Sequence, residues 1–399
     1  MRKAILILLI MAAFAGADSL GVVCYDSVRA FQGYTLFAPN PYTTTYLVDM
    51  HGRIVNSWES DYRPGQSAYL LENGNLLRTA MLNVPNPRFT VGGKAGRIQE
   101  FDWEGNLIWS FRFSSPHHLS HHDVERLPSG NILMIAWEYK SAPQAIAAGR
   151  NPTLLPDTCL WPDMIVELAP VGSTSAEIVW RWHSWDHLIQ DHDPSKDNYG
   201  SVSDHPEKLD INYVGGSAGA DWLHINAVDY NPEFDQIILS AHNTNEFLVI
   251  DHSTADYDSP SVGIAAAAGP AGDILYRWGN PAAYDRGIPA HREFYGQHDA
   301  QWIEPDLPGA GNILVYNNGM GRHPPYSTVE VIEPPVDSLG NYYIAPGEPF
   351  GPDSQSWIYS AEPETSFYSS NISGAQRLDN GNTLICSGSS GRLFEVTDT

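Results

Sequence analysis

Apolar and polar residues alternate along this chain in short runs, cut at close intervals by Gly, Asn, Asp and Pro. A period of two sends successive side chains to opposite faces of a strand, so the pattern predicts many short strands joined by tight turns. Helical periodicity is almost absent. One unit recurs in SAYLLENGNLLRTA (67–80), HDVERLPSGNILMIA (122–136) and GAQRLDNGNTLICSG (374–388): a strand ending in Leu, a turn, Gly-Asn, then an apolar strand. HDAQWIEPDLPGAGNILVYN (298–317) is the same unit with a longer turn. In HINAVDYNPEFDQIILSAHN (224–243), Asn-Pro and Phe-Asp replace the Gly-Asn.

A second hairpin ending in tryptophan follows, as in RIQEFDWEGNLIWSF (97–111), MIVELAP with EIVWRW (164–182) and GDILYRWGN (272–280). GYTLF (33–37) with TTYLVDMHGRIVNSWES (44–60) is a similar element near the N-terminus. Two hairpins per repeat make a four-stranded blade. The predicted fold is therefore all-β, a six-bladed β-propeller of four-stranded antiparallel blades occupying 33–399. Its blades lie near 33–60, 67–113, 122–185, 224–280, 298–361 and 374–397, and residues 18–32 form a lead-in. The last blade lacks a strand, because RLFEVTDT ends where a Trp-bearing strand is due. Either residues 20–37 supply it and close the ring, which is the favoured expectation, or the chain stops short of it.

Alignment on the turns places His122, His224 and His298 at the starts of three innermost strands, with Gln66 and Ser373 at the same place in two others. Such starts converge on the mouth of the central channel, where propellers bind ligands. Within DWLHINAVDY (221–230), Leu223, Ile225 and Ala227 share one strand face, and His224, Asn226 and Val228 share the other.

Composition narrows the setting. MRKAILILLIMAAFAGADS opens with two basic residues, a short apolar run and small residues at Ala13, Ala15 and Ala17, a secretory leader over residues 1–17. An exported protein, periplasmic or extracellular, is expected. No later segment reads as a membrane span. A net charge of −25 repels phosphate backbones and anionic lipid, which argues against nucleic-acid and membrane-surface roles. Three cysteines, Cys24, Cys159 and Cys386, exclude a disulfide framework, although one pair such as Cys24 with Cys386 could form. DHDPSKD (191–197) resembles a calcium loop but lacks its glycine and final glutamate, so it reads as a solvated loop.

The three strand-start histidines suit two chemistries: a transition-metal site, or nucleophilic catalysis by a neutral imidazole. Asp123 and Asp299 follow their histidines directly and so point away from them, toward a role in orienting the rings or the neighbouring blades.

DWLHIN, YRWGNP (276–281), GQHDAQW (296–302), HHDV with LPSGNIL and NNGMGR (317–322) together resemble the aryl-sulfate sulfotransferase family of exported six-bladed propellers, from about Gly33 to Val396. The resemblance implies transfer of a sulfo group from an aryl sulfate to a phenol through a sulfated histidine, with no cofactor, metal or nucleotide donor. It implies His298 as nucleophile, His224 and Asn226 as the grip on the sulfo group, and His122 as a further donor or acid, in preference to His121. The family carries an arginine on the strand after the HxN motif. Here that position is His242. Arg322 or Arg286 would then supply the missing charge, and Trp222 or Tyr326 could stack on phenolic rings. The alternatives are a non-catalytic propeller binding a ligand or polymer, and a metal-dependent hydrolase built on the same histidines.

Overall fold

The computed structural model describes residues 21–155, 158–213, 219–252 and 272–397; the leader expected over residues 1–17 lies outside them. Six antiparallel sheets form the blades of a β-propeller. Blade 1 comprises Tyr34–Phe37, Thr45–Asp49 and Ile54–Trp58, and blade 2 comprises Pro64–Leu70, Leu76–Met81, Gly96–Phe101 and Leu107–Arg112. Blade 3 comprises His118–Arg126, Ile132–Glu138, Asp163–Val171 and Ser175–His183. Blade 4 comprises Ile225–Asn231, Gln236–Ala241, Glu246–Asp251 and Ile274–Trp278. Blade 5 holds His298–Trp302, Ile313–Asn317, Thr328–Ile332 and Trp357–Tyr359, and blade 6 holds Gly374–Arg377, Thr383–Ser387 and Arg392–Val396.

The recurring tryptophan has a mechanical reason. Trp58 Nε1 donates to the Asp102 carbonyl of the next blade, and Trp109 to Ser175. Trp182 donates to Gly272 and Trp278 to Pro352 in the same way. In blades 1 to 4 the outer strand thus carries a large apolar body whose single N–H is satisfied by the following blade. Apolar clusters fill every blade interface, from Leu36 against Phe101 between blades 1 and 2 to Tyr316 against Phe367 between blades 5 and 6.

Closure departs from the expectation. Tyr34–Phe37 pairs within blade 1, so blades 1 and 6 both have three strands, and residues 20–37 add none to the last sheet. The ring closes by packing Phe37 and Val48 on Cys386. The lead-in adds hydrogen bonds, Asn382 Nδ2 to the Arg29 carbonyl and Phe31 N to Glu395. All three cysteines are thiols, with no disulfide. Among the described residues no helix is long and apolar enough to cross a membrane.

The innermost strands carry what positions the site. Blades 2 to 5 each have a register shift near the strand start, between Pro64 and Ala68, Ser120 and Val124, Ile225 and Val228, and His298 and Gln301. Gln66, His122 and Asp299 each lie two residues before the ladder resumes, all with left-handed φ (138°, 51° and 57°). His224, also left-handed at 54°, directly precedes Ile225. The repeat alignment therefore brings the histidines to the same end of the strands but not to one register position. The bulge also breaks the alternation read for DWLHINAVDY, since Val228 packs with Leu223 and Ile225 in the core rather than continuing the row of His224 and Asn226.

Candidate active site

Bulges turn side chains inward at the channel, and four imidazoles meet there. Ring centroids are 4.7 Å apart for His122 and His224, 5.2 Å for His224 and His242, and 5.4 Å for His242 and His298. They come from blade 3, blade 4 twice, and blade 5. An open cavity adjoins two of these rings, lined by His122, Asn226 and His298 with Gln66, Tyr69 and Cys386. Gly93 is pressed against His122: it has a φ of 78°, and a Cβ there would lie 1.8 Å from His122 Cε1.

Asp123 and Asp299 hold neighbouring blades together, one of the two roles expected of them. The bulges over Ser120–Val124 and His298–Gln301 break the alternation, however, and each aspartate lines the same cavity as its histidine. Asp123 accepts Val228 N at 3.1 Å and the Tyr69 hydroxyl at 2.5 Å, while Asp299 accepts Ala375 N at 2.9 Å. Asp229 does the same toward Trp302 N at 2.8 Å.

The orientation of each ring follows from its partner. Asn318 donates its Nδ2 to the Ser369 carbonyl, so its Oδ1 is an acceptor, 2.7 Å from His298 Nδ1. The Gly296 carbonyl, 3.2 Å from the same nitrogen, also only accepts. Facing two acceptors, His298 Nδ1 must carry the hydrogen, and Nε2 keeps its lone pair. Burial, helped by His242 alongside, pushes His298 down to about 3, so the ring is neutral near pH 7.

Similar logic applies to His242. Asn243 donates to the Asp221 carbonyl and accepts from His242 Nδ1 at 2.8 Å, leaving Nε2 as a lone pair. Burial and then His224 push His242 to about 4. In place of a fixed cation, this position therefore holds a neutral ring. Asp221 makes a short contact with His224 Nδ1, and among the described residues it is the carboxylate hydrogen-bonded to the four-ring cluster. Asn226 donates to the Gln297 carbonyl at 2.9 Å, which leaves a second amide hydrogen, and its buried Oδ1 has no partner.

The other expected residues lie elsewhere. Arg286 donates to the Ser203 and Glu348 carbonyls at 2.8 Å each, a brace between loops rather than part of the cluster. Arg322 packs over Tyr326 and lies 3.6 Å from buried Glu330, so its charge is engaged there. Met320 of the same loop approaches the cluster at Gly296, which His242 also touches. Trp222 is buried in the core between blades 3 and 4. Asp193 of the calcium-like loop accepts from Ser195 within its own turn. Among the described residues no three His, Cys, Asp or Glu side chains are gathered as a metal ion requires.

Sequence reasoning missed the partners that orient the rings: Asp221, Asn243 and Asn318. Asp221 and Asn318 sit inside DWLHIN and NNGMGR, motifs whose histidine or arginine drew attention first.

The chain matches the Arylsulfotransferase (ASST) family over residues 29–271. It belongs to that family. Aryl sulfo transfer on small aromatic substrates is thereby the general activity to which this propeller is assigned. No curated protein matches the chain. Among solved structures it is similar to a protein of unknown function from Bacteroides caccae, with 9% identity, 92% of this chain and 90% of that one covered, and a TM-score of 0.48. It is also similar to the hydrazine synthase of Kuenenia stuttgartiensis (11%, 76% and 68% covered, TM-score 0.41) and to regucalcin of Agrobacterium tumefaciens (9%, 89% and 78% covered, TM-score 0.39).

Proposed function

We propose that this family member is an exported aryl-sulfate sulfotransferase that moves a sulfo group from an aryl sulfate to a phenol through a sulfated His298. The observation that carries the reading is the hydrogen bonding at His298, where two acceptors hold the proton on Nδ1 and leave Nε2 free beside the cavity. A neutral imidazole with a directed lone pair is what attack on sulfur needs.

His298 Nε2 bonds to sulfur as the sulfur–phenolate bond breaks. Charge that develops on the sulfonyl oxygens is met by His224 and by the second amide hydrogen of Asn226. His122 protonates the departing phenolate. An acceptor phenol then attacks the sulfo group on His298 and restores the ring. His242 is neutral at rest and takes up a proton as the anion enters, because a sulfate beside it favours the charged form.

Incubation with p-nitrophenyl sulfate, with and without phenol, tests this. Phenol-dependent release of p-nitrophenolate that is lost in His298→Ala is expected. Binding of the ester without release, in folded protein, would favour the non-catalytic propeller instead.

A further inference from the structure

Behind His122 lies a second histidine that the transfer itself does not use. His121 Nδ1 is 2.8 Å from His122 Nδ1, with the two rings at 83°. Two ring nitrogens at that distance share one hydrogen, so the tautomer of one ring dictates that of the other. On its far side, His121 Nε2 is 3.1 Å from Asp163 Oδ1. That contact lies off the ring's N–H axis, an alignment that often tightens only when substrate is bound. His121 is clamped by stacking on Trp137 at 3.7 Å, and both His121 and Asp163 are fully buried. Asp163 Oδ1 also accepts Ile225 N, directly beside His224, and its Oδ2 has no partner. A carboxyl, two imidazoles and the cavity thus form one line into the protein.

We propose that Asp163, His121 and His122 form a proton relay that protonates the departing phenolate and reclaims the proton from the acceptor phenol; this rests on the sulfotransferase reading above. At rest Asp163 is a carboxylic acid, His121 holds its hydrogen on Nδ1, and His122 presents Nε2–H to the cavity. As the sulfur–oxygen bond breaks, its electron pair goes to the phenolate oxygen, which takes the Nε2 proton of His122. His122 Nδ1 takes the Nδ1 proton of His121, and His121 Nε2 takes the carboxyl proton. Both relay histidines end neutral, and the new carboxylate offsets the positive ring of sulfated His298. When the acceptor phenol attacks, its proton enters at His122 Nε2 and the hops reverse. Burial, and then neighbouring Asp221, hold the Asp163 carboxyl well above the ordinary carboxylate range, as a resting acid needs. Burial and then His224 keep both histidines well below the ordinary imidazole range, so they shuttle hydrogens as neutral rings.

Asp163→Asn tests the relay, because the amide oxygen still accepts Ile225 N but there is no acid proton. With phenyl sulfate, whose phenolate needs a proton to leave, transfer is expected to fall about 100-fold. With p-nitrophenyl sulfate, a far better leaving group, it is expected to fall only a fewfold. Equal losses with both donors, or none, overturn the relay. His121→Phe keeps the stack on Trp137 and must reproduce the same split. A second readout needs no turnover: in ¹⁵N histidine spectra, Asp163→Asn is expected to move the His122 hydrogen from Nε2 to Nδ1. Unchanged His121 and His122 signals overturn the relay even if the unmodified protein uses neither donor, an outcome that by itself counts against the sulfotransferase reading.

Discussion

His298 Nδ1 lies 2.7 Å from Asn318 Oδ1, and Asn318 is itself held by donation to the Ser369 carbonyl. One strand start and two loops therefore set which nitrogen of one ring is free. Replacing Asn318 by Leu removes the stronger acceptor and lets the ring swing. A displacement of about 1 Å can reduce rate on the order of 100-fold. Asn318→Leu should lower kcat by about that factor with little change in KM, measured with p-nitrophenyl sulfate and phenol. A rate within twofold of the unmodified protein would show that the Gly296 carbonyl suffices.

The neutral ring of His242 gives a second expectation. His242→Arg places a permanent cation beside the sulfo position, where a charge-assisted hydrogen bond is worth roughly 1.5–3 kcal/mol. Transfer should rise by about tenfold or more at pH 8, where His242 is least able to take up a proton. The gain should shrink as pH falls toward 5. Comparing kcat/KM of the two proteins across that range checks it.

Stability should weaken in acid. His242 and His298 have folded pKa values of about 4 and about 3, against an ordinary value of 6.5. Below 6.5 the unfolded chain takes up protons that the folded rings refuse, so each ring removes about 1.4 kcal/mol per pH unit until its folded value is reached. His252 works in the opposite sense. Burial opposes its charge, but Asp235 and Glu167 outweigh this and raise it to about 9. The stability it contributes is full below 6.5 and is lost as pH rises through 9. Chemical denaturation from pH 4 to 10 should show a maximum between these limits, and His242→Gln should flatten the acid side.

The tryptophan clamps can be weighed one at a time. Trp182→Phe keeps most of the apolar body but leaves the Gly272 carbonyl without its donor, at a cost of about 1–2 kcal/mol. Trp182→Ala also opens a cavity and should cost about 3–5 kcal/mol. Equal losses in urea denaturation would mean that the hydrogen bond, not the packing, joins blades 3 and 4.

Much of the ring was legible in the chain. The period-two runs and the repeated Gly-Asn turns are local, so they read directly as hairpins, and the tryptophans mark the outer strands that clamp to the next blade. The histidines at the strand starts were likewise visible, because repetition places equivalent positions around one axis. How the ring closes was not visible, since packing Phe37 and Val48 on Cys386 joins residues from opposite ends of the chain.

The chain by itself determined that His122, His224 and His298 approach the channel and which residues build the blades, since both follow from local period and repetition; His242 entered only through the family resemblance. Only the tertiary structure decided what each ring can do. A bulge upsets alternation, which brings His121 against His122 rather than away from it. Asn318 reaches His298 from twenty residues further on, and Asp163 reaches His121 from another strand. Tautomer and charge depend on such partners and on burial, and neither is written in the spacing of residues along a strand.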